Sequence, residues 1–229
     1  MQIGGFQKVS LIDYPGRISA VVFTQGCNFR CPYCHNPELV DPERFAQRVP
    51  EAEILAFLEK RKGRLDGVVV TGGEPTLQPE LIPFIIHLRA MGYPVKLDTN
   101  GALPDVLEEM LGRKLLDYVA MDIKAPLEKY GETTRTGIDG ERIRRSIALI
   151  MGSGVDYEFR TTAVRSLLAP GDLEAIGRLV AGAKRFVLQK FVPTKTLDRG
   201  YLGEPSYSDG ELKALAEKLA PFVEKVTRR

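Results

Sequence analysis

Three cysteines, Cys27, Cys31 and Cys34, are the only ones in the chain, and they fall together as C-x3-C-x2-C within CNFRCPYCHNP. Three thiolates this close on one loop can hold three irons of a four-iron cluster and leave the fourth without a protein ligand. A cluster that only carries electrons usually has four cysteines. An open iron points to a cluster that meets a substrate or cofactor directly. A structural zinc site needs four closed ligands; His35 follows Cys34 immediately, and adjacent side chains diverge too far to chelate one tetrahedral ion easily. A disulfide framework needs paired cysteines in a small secreted chain, whereas here the count is odd and the chain has 229 residues.

That length allows one large domain or two small ones. The apolar share of 44% is ample for a core, and the net charge of +2 is too weak to argue for nucleic acid, since Lys and Arg are interspersed with Asp and Glu. MQIGGFQKVS has neither a basic n-region nor an apolar h-region, so no secretory signal is expected. No apolar run reaches bilayer length, so no membrane association is expected. Unpaired cysteines suit a reducing cytoplasm, and an exposed cluster suits anaerobic conditions.

The elements that must position such a loop alternate in type. Strand-like segments lie at 18–24, 67–72, 94–99, 116–124, 156–164 and 185–192, rich in Val, Ile, Phe and Tyr. Helix-like segments lie at 50–62, 78–92, 103–114, 139–154, 169–183 and 208–226, several opening at Pro or Asp and closing near Gly. In the last, Leu212, Leu215, Leu219 and Phe222 form a stripe read as core. Repeated β–α units imply a parallel sheet with right-handed crossovers. Six units fall short of the eight of a closed barrel, so the expected fold is α/β: an open, partial β/α barrel of about six parallel strands. One domain over 1–229 is the simplest organisation, with a core over about 13–192 and a loop and helix over 193–229. The stretch 193–207 is expected to be a long loop, suited to a lid or a partner contact.

Polar residues gather where such strands end, which is where these folds place chemistry. The second strand runs into Gly72-Gly73-Glu74-Pro75, whose glycines would let backbone approach a ligand, although Gly and Pro also make plain turns. The third ends at Asp98-Thr99-Asn100-Gly101, where Asn-Gly is a routine turn signal and Asp98 could bind a hydroxyl or ammonium. In the fourth, alternation puts Val119, Met121 and Ile123 on one face and Ala120, Asp122 and Lys124 on the other. Asp122 and Lys124 are either a structural ion pair or a site for a zwitterionic ligand. Glu158, Arg160 and Thr162 share a face of the fifth strand, and Gln189 alternates with Leu188 and Lys190 in the sixth. A lumen filled only for packing would be apolar; this one suits a charged, polar cofactor.

Taken together, C-x3-C-x2-C after the first strand, GGEP after the second and the Asp/Lys pair on the fourth resemble a radical S-adenosylmethionine (SAM) enzyme. The run DYPGRISAVVFTQGCNFRCPYCHNP is similar to the activating enzymes of glycyl-radical proteins, most of all those of anaerobic ribonucleoside-triphosphate reductase. The resemblance implies that Cys27, Cys31 and Cys34 hold a [4Fe–4S] cluster whose open iron is chelated by the methionyl amine and carboxylate of SAM. It implies Tyr33 against the adenine, and Gly72, Gly73 and Glu74 at the methionyl ammonium. Asp98 and Asp122, with Thr99 beside them, would meet ribose hydroxyls or a neighbouring monovalent cation, and Lys124 the carboxylate. Relatives that add a histidine near the last strand have no counterpart here; Gln189 or Lys190 would replace it, and Arg160 would line the lumen. The implied reaction is reductive cleavage of SAM to a 5′-deoxyadenosyl radical that makes a glycyl radical on a large partner enzyme. The electron would come from a flavodoxin or ferredoxin, since no cysteines remain for a second cluster. Two other readings are a radical SAM enzyme acting on a small molecule or peptide, such as a deazapurine, and a non-catalytic Fe–S electron-transfer module.

Overall fold

The computed structural model describes residues 1–229. Eight strands form one sheet in sequence order: β1 (Ile3–Ser10), β2 (Ser19–Thr24), β3 (Gly67–Gly72), β4 (Val95–Thr99), β5 (Tyr118–Asp122), β6 (Asp156–Ala163), β7 (Phe186–Lys190) and β8 (Val226–Arg228). β1 is antiparallel to β2, and every later neighbour is parallel. No ladder joins β8 back to β1, so the barrel is open. The six expected strands are all present as β2 to β7. The sequence reading missed β1, whose Gly4-Gly5 pair breaks the strand signature, and β8, which is only three residues long.

The helices are α1 (Pro37–Val40), α2 (Glu51–Glu59), α3 (Leu81–Ala90), α4 (Pro104–Gly112), α5 (Tyr130–Thr134), α6 (Gly140–Gly152), α7 (Pro170–Leu179) and α8 (Asp209–Leu219). None is long and apolar enough to cross a membrane. α6 starts where the Asp139 carboxylate accepts the Glu141 N–H at 3.0 Å. Ser208 and Glu211 cap α8 reciprocally, each side chain accepting the other's backbone N–H. The expected last helix stops at Leu219 rather than 226, because Pro221 cannot continue it; the chain then turns into β8. Leu212, Leu215 and Leu219 are buried as the stripe predicts, and Phe222 packs on the core from beyond the helix end.

Strand parity sorts the two faces. Val119, Met121 and Ile123 enter the large core shared with the helices. Ala120 belongs to a separate small cluster inside the curve of the sheet, with Tyr14, Val21, Val69 and Tyr118. Tyr14 packs on Tyr118 at 6.0 Å between ring centres. Glu158, fully buried, accepts the Tyr118 hydroxyl at 3.0 Å and both Arg229 guanidinium nitrogens at 3.2 Å. Apolar packing and this closed polar knot fill one end of the lumen and leave the strand carboxyl ends for the site.

At the end of β3 the chain passes very close to the cysteine loop. The Gly73 N–H donates to Thr24 O at 2.9 Å and the Glu74 N–H to Gly26 O at 2.8 Å. A Cβ on Gly73 would lie 2.1 Å from Gly26 O, whereas one on Gly112 in α4 would meet open space. Gly73→Ala should therefore cost about 1–3 kcal/mol by overpacking. Gly112→Ala should be neutral or gain up to about 1 kcal/mol through helix propensity. Denaturant titration of both variants checks this; an unperturbed Gly73→Ala would disprove the close approach.

Candidate functional site

One cavity of about 360 Å³ opens at the carboxyl ends of the strands, within the usual small-molecule range of roughly 300–1,000 Å³. The expected ligand-binding residues line it: Cys27, Cys31, Tyr33 and Cys34 on the loop after β2; Gly72, Gly73 and Glu74 after β3; Asp98 and Thr99 on β4; Asp122 and Lys124 at the end of β5; Arg160 on β6 and Gln189 on β7. Asp13 and Lys190 line it too. Glu158, expected on the same face as Arg160, lies outside it, bound to Tyr118 and Arg229.

Glu74 ties the loops together. Its carboxylate is fully buried. Oε1 accepts the Thr76 N–H at 3.0 Å, the Thr76 hydroxyl and the Thr99 hydroxyl at 2.8 Å, while Oε2 accepts the Asn100 N–H at 2.7 Å. Burial pushes this carboxyl up despite those donors. A ligand ammonium would meet the loop's backbone and the spare capacity of Oε2 rather than a free carboxylate.

Across the cavity floor runs an alternating chain of charges. Lys96 bonds Asp98; Arg160 bonds Asp98 at 3.0 Å and Asp122 at 2.7 Å; Lys124 bonds Asp122 at 3.0 Å. Strand register builds it. Asp122 pairs with Arg160 across β5 and β6, and small Ala120, in register with Asp98, leaves room for the guanidinium to reach β4. Burial alone would raise both aspartates, but Arg160 with Lys96 holds Asp98 low, and Arg160 with Lys124 holds Asp122 low. The Lys124 ammonium is held well above its usual range, mainly by Asp122 against burial. Within this chain of charges three cations meet two anions; the cavity lining as a whole, which also holds Asp13, Glu74 and Lys190 but not Lys96, carries no excess of positive charge.

The cysteine loop forms the opposite wall. All three thiols are unpaired. Burial pushes Cys27 up to about 12 and Cys31 up to about 11, and raises Cys34. Bare thiolates are costly here, and a metal centre bound to them would supply the charge that keeps them deprotonated. An all-sulfur donor set suits iron–sulfur chemistry. No three His, Cys, Asp or Glu side chains converge as ligands of a single ion would. His35 Nε2 lies 2.9 Å from Val192 O and its ring stacks on Phe191 at 5.4 Å, so it tethers the loop to the end of β7. The 193–207 segment is tied to the same region: the Asp198 N–H donates to Pro32 O at 2.9 Å, Lys195 pairs with Glu38 at 2.6 Å and Arg135 with Asp198 at 2.8 Å. Tyr33 packs edge-on against Phe191, and its buried hydroxyl has no hydrogen-bond partner.

Sequence reasoning passed over two buried residues. Lys96, 1% exposed, sits mid-strand where a lysine usually reads as solvated; its spacing of two from Asp98 was the available signal. In the sequence Asn100 reads as half of an Asn-Gly turn.

The unsatisfied Tyr33 hydroxyl yields a prediction. A buried polar group without a partner costs about 1–3 kcal/mol. Tyr33→Phe should raise the melting temperature of the metal-free protein by roughly 2–4 °C per kcal/mol recovered. A lower melting temperature by calorimetry would show that the hydroxyl is satisfied after all.

Comparison with known proteins agrees with this geometry. The Radical SAM superfamily model matches residues 21–175. A protein of Methanocaldococcus jannaschii, provisionally named a glycyl-radical enzyme activating enzyme, is 35% identical over 233 residues, covering 99% of this chain and 95% of that protein. The pyruvate formate-lyase-activating enzyme of Clostridium pasteurianum is 38% identical over 128 residues, 54% of this chain and 52% of that protein. Among solved structures, Streptococcus suis SuiB bound to S-adenosylmethionine superposes with a TM-score of 0.69 at 15% identity, over 89% of this chain and 48% of SuiB, a likeness of fold alone. Full-length similarity at that identity and a family match over most of the sheet place the chain in the radical SAM superfamily, among the glycyl-radical enzyme activating enzymes.

Proposed function

We propose that this protein generates a glycyl radical on a large partner enzyme, with anaerobic ribonucleoside-triphosphate reductase as the first candidate. The observation that carries this reading is three cysteines, with no fourth in the chain, sharing one cavity with Lys124 and Arg160. What a bound [4Fe–4S] cluster and SAM supply together is one-electron cleavage of the sulfonium S–C5′ bond, giving methionine and a 5′-deoxyadenosyl radical that takes a hydrogen from the target.

The residues divide that work. Cys27, Cys31 and Cys34 bind the cluster. The backbone of Gly72-Gly73-Glu74 receives the methionyl ammonium, and Glu74 fixes that backbone through its four donors. Lys124, held protonated beside Asp122, binds the carboxylate. Asp98 and Asp122 orient Arg160 and Lys124 and offer their remaining lone pairs to ribose hydroxyls. Tyr33 packs on the adenine, and Gln189 or Lys190 serves the carboxylate from β7. The cavity mouth at the strand carboxyl ends is where a partner loop would enter, and a flavodoxin or ferredoxin would supply the electron.

Cys27→Ala, Cys31→Ala or Cys34→Ala should abolish iron content and SAM cleavage together. Lys124→Ala should keep full iron while weakening SAM binding about tenfold or more, as expected when a charge-assisted contact worth about 1.5–3 kcal/mol is lost. Iron loss in that variant would refute the assignment of Lys124. Mixing the reduced protein with SAM and candidate glycyl-radical enzymes should give a glycyl doublet by EPR. Deoxyadenosine release without a partner radical, across several partners, would overturn the activation reading.

A further inference from the structure

Asn100 is 5% exposed and every polar atom of its side chain is engaged. Its Oδ1 accepts the Ala102 N–H at 3.0 Å, and its Nδ2 donates to Asn28 Oδ1 at 2.8 Å. The amide cannot be turned over, because that would set Oδ1 against Asn28 Oδ1 and Nδ2 against the Ala102 N–H. In this fixed orientation Nδ2 also lies 3.9 Å from Cys27 Sγ. The Phe29 N–H reaches the same sulfur at 3.4 Å. Cys27 is thus the cysteine whose sulfur faces a side-chain amide as well as a backbone N–H.

We infer that Asn100 is a positioning residue for the metal centre: its amide N–H, aimed at the Cys27 sulfur, raises the reduction potential of the cluster that Cys27 ligates. The inference rests on the cluster reading above. An N–H donated to a ligating sulfur stabilises the extra electron of the reduced state, and such bonds are among the factors that set cluster potentials. The contact is long for a neutral thiol, but a metal-bound thiolate carries more charge and is the stronger acceptor. The Asn100 backbone N–H is simultaneously fixed by Glu74. The loop proposed to hold the methionyl ammonium therefore also sets where the amide points.

The test uses the full chain, reconstituted without oxygen with iron and sulfide. Iron and sulfide per chain are measured, and the midpoint potential is read by EPR-monitored redox titration. Asn100→Leu keeps the volume and removes the N–H. It should load iron fully, titrate more negative by about tenfold in the reduction equilibrium, which is about 59 mV for one electron, and lose one exchangeable proton coupled to the reduced cluster by ENDOR. Asn28→Ala frees the amide without deleting it and should shift the midpoint less, in the same direction. If Asn100→Leu loads iron with an unchanged midpoint and the same proton coupling, the inference is overturned while the cluster reading stands. If Asn100→Leu fails to load, Asn28→Ala decides, and an unchanged midpoint there overturns the inference. A wild-type protein that assembles no cluster overturns the underlying reading instead.

Discussion

A buried carboxylate is intolerable unless every lone pair that matters is met, and Glu74 is fully buried. Meeting that demand organises the site. The donors come from the loop after β3, through Thr76, and from the end of β4, through Thr99 and Asn100. Glu74's own N–H is bound to Gly26, one residue before the first cysteine. One side chain and its backbone thus lock three loops that are far apart in sequence. Loss of a buried charge's partner costs several kcal/mol, more than the few tenths that most loop contacts supply, so these loops move as a unit or hardly at all.

The charged floor follows a different logic. Its five members lie on β4, β5 and β6, with Lys124 just past the end of β5, so their spacing is set by strand register rather than by loops. Coulomb attraction in such a setting is offset by desolvation, and a buried ion pair is weak evidence for stability. What the alternation secures is geometry: each anion is held between two cations. The same lattice that keeps Asp122 ionised keeps Lys124 protonated, so the pair stays an ion pair across the ordinary pH range.

Much of this was legible from residues alone because two periodicities carry it. Alternation along the fourth expected strand separated Ala120, Asp122 and Lys124 from Val119, Met121 and Ile123, and the two sets do enter different layers. The cysteine spacing pointed to the loop proposed to hold the cluster only together with GGEP and the Asp/Lys pair. What escaped reading depended on contacts between distant segments. Lys96 looks like a solvated residue until β4 is known to have an inner face with Asp98 on it. Asn100 looks like half of an Asn-Gly turn until Cys27 is brought beside it. β8 contains three residues and exists only because β7 offers an edge. The helix end at Leu219 was written in Pro221 and was overrun by a persuasive leucine stripe.

The segment matched by the family model stops at residue 175, yet the roof over the cysteine loop is built beyond it. Val192 anchors His35, Phe191 backs both His35 and Tyr33, and the stretch around Asp198 is stitched to Pro32 and Arg135. A chain cut back to the shared module would keep its thiols and lose the masonry above them. Grafting this tail onto another member of the superfamily would transplant part of the shelter around the cysteine loop.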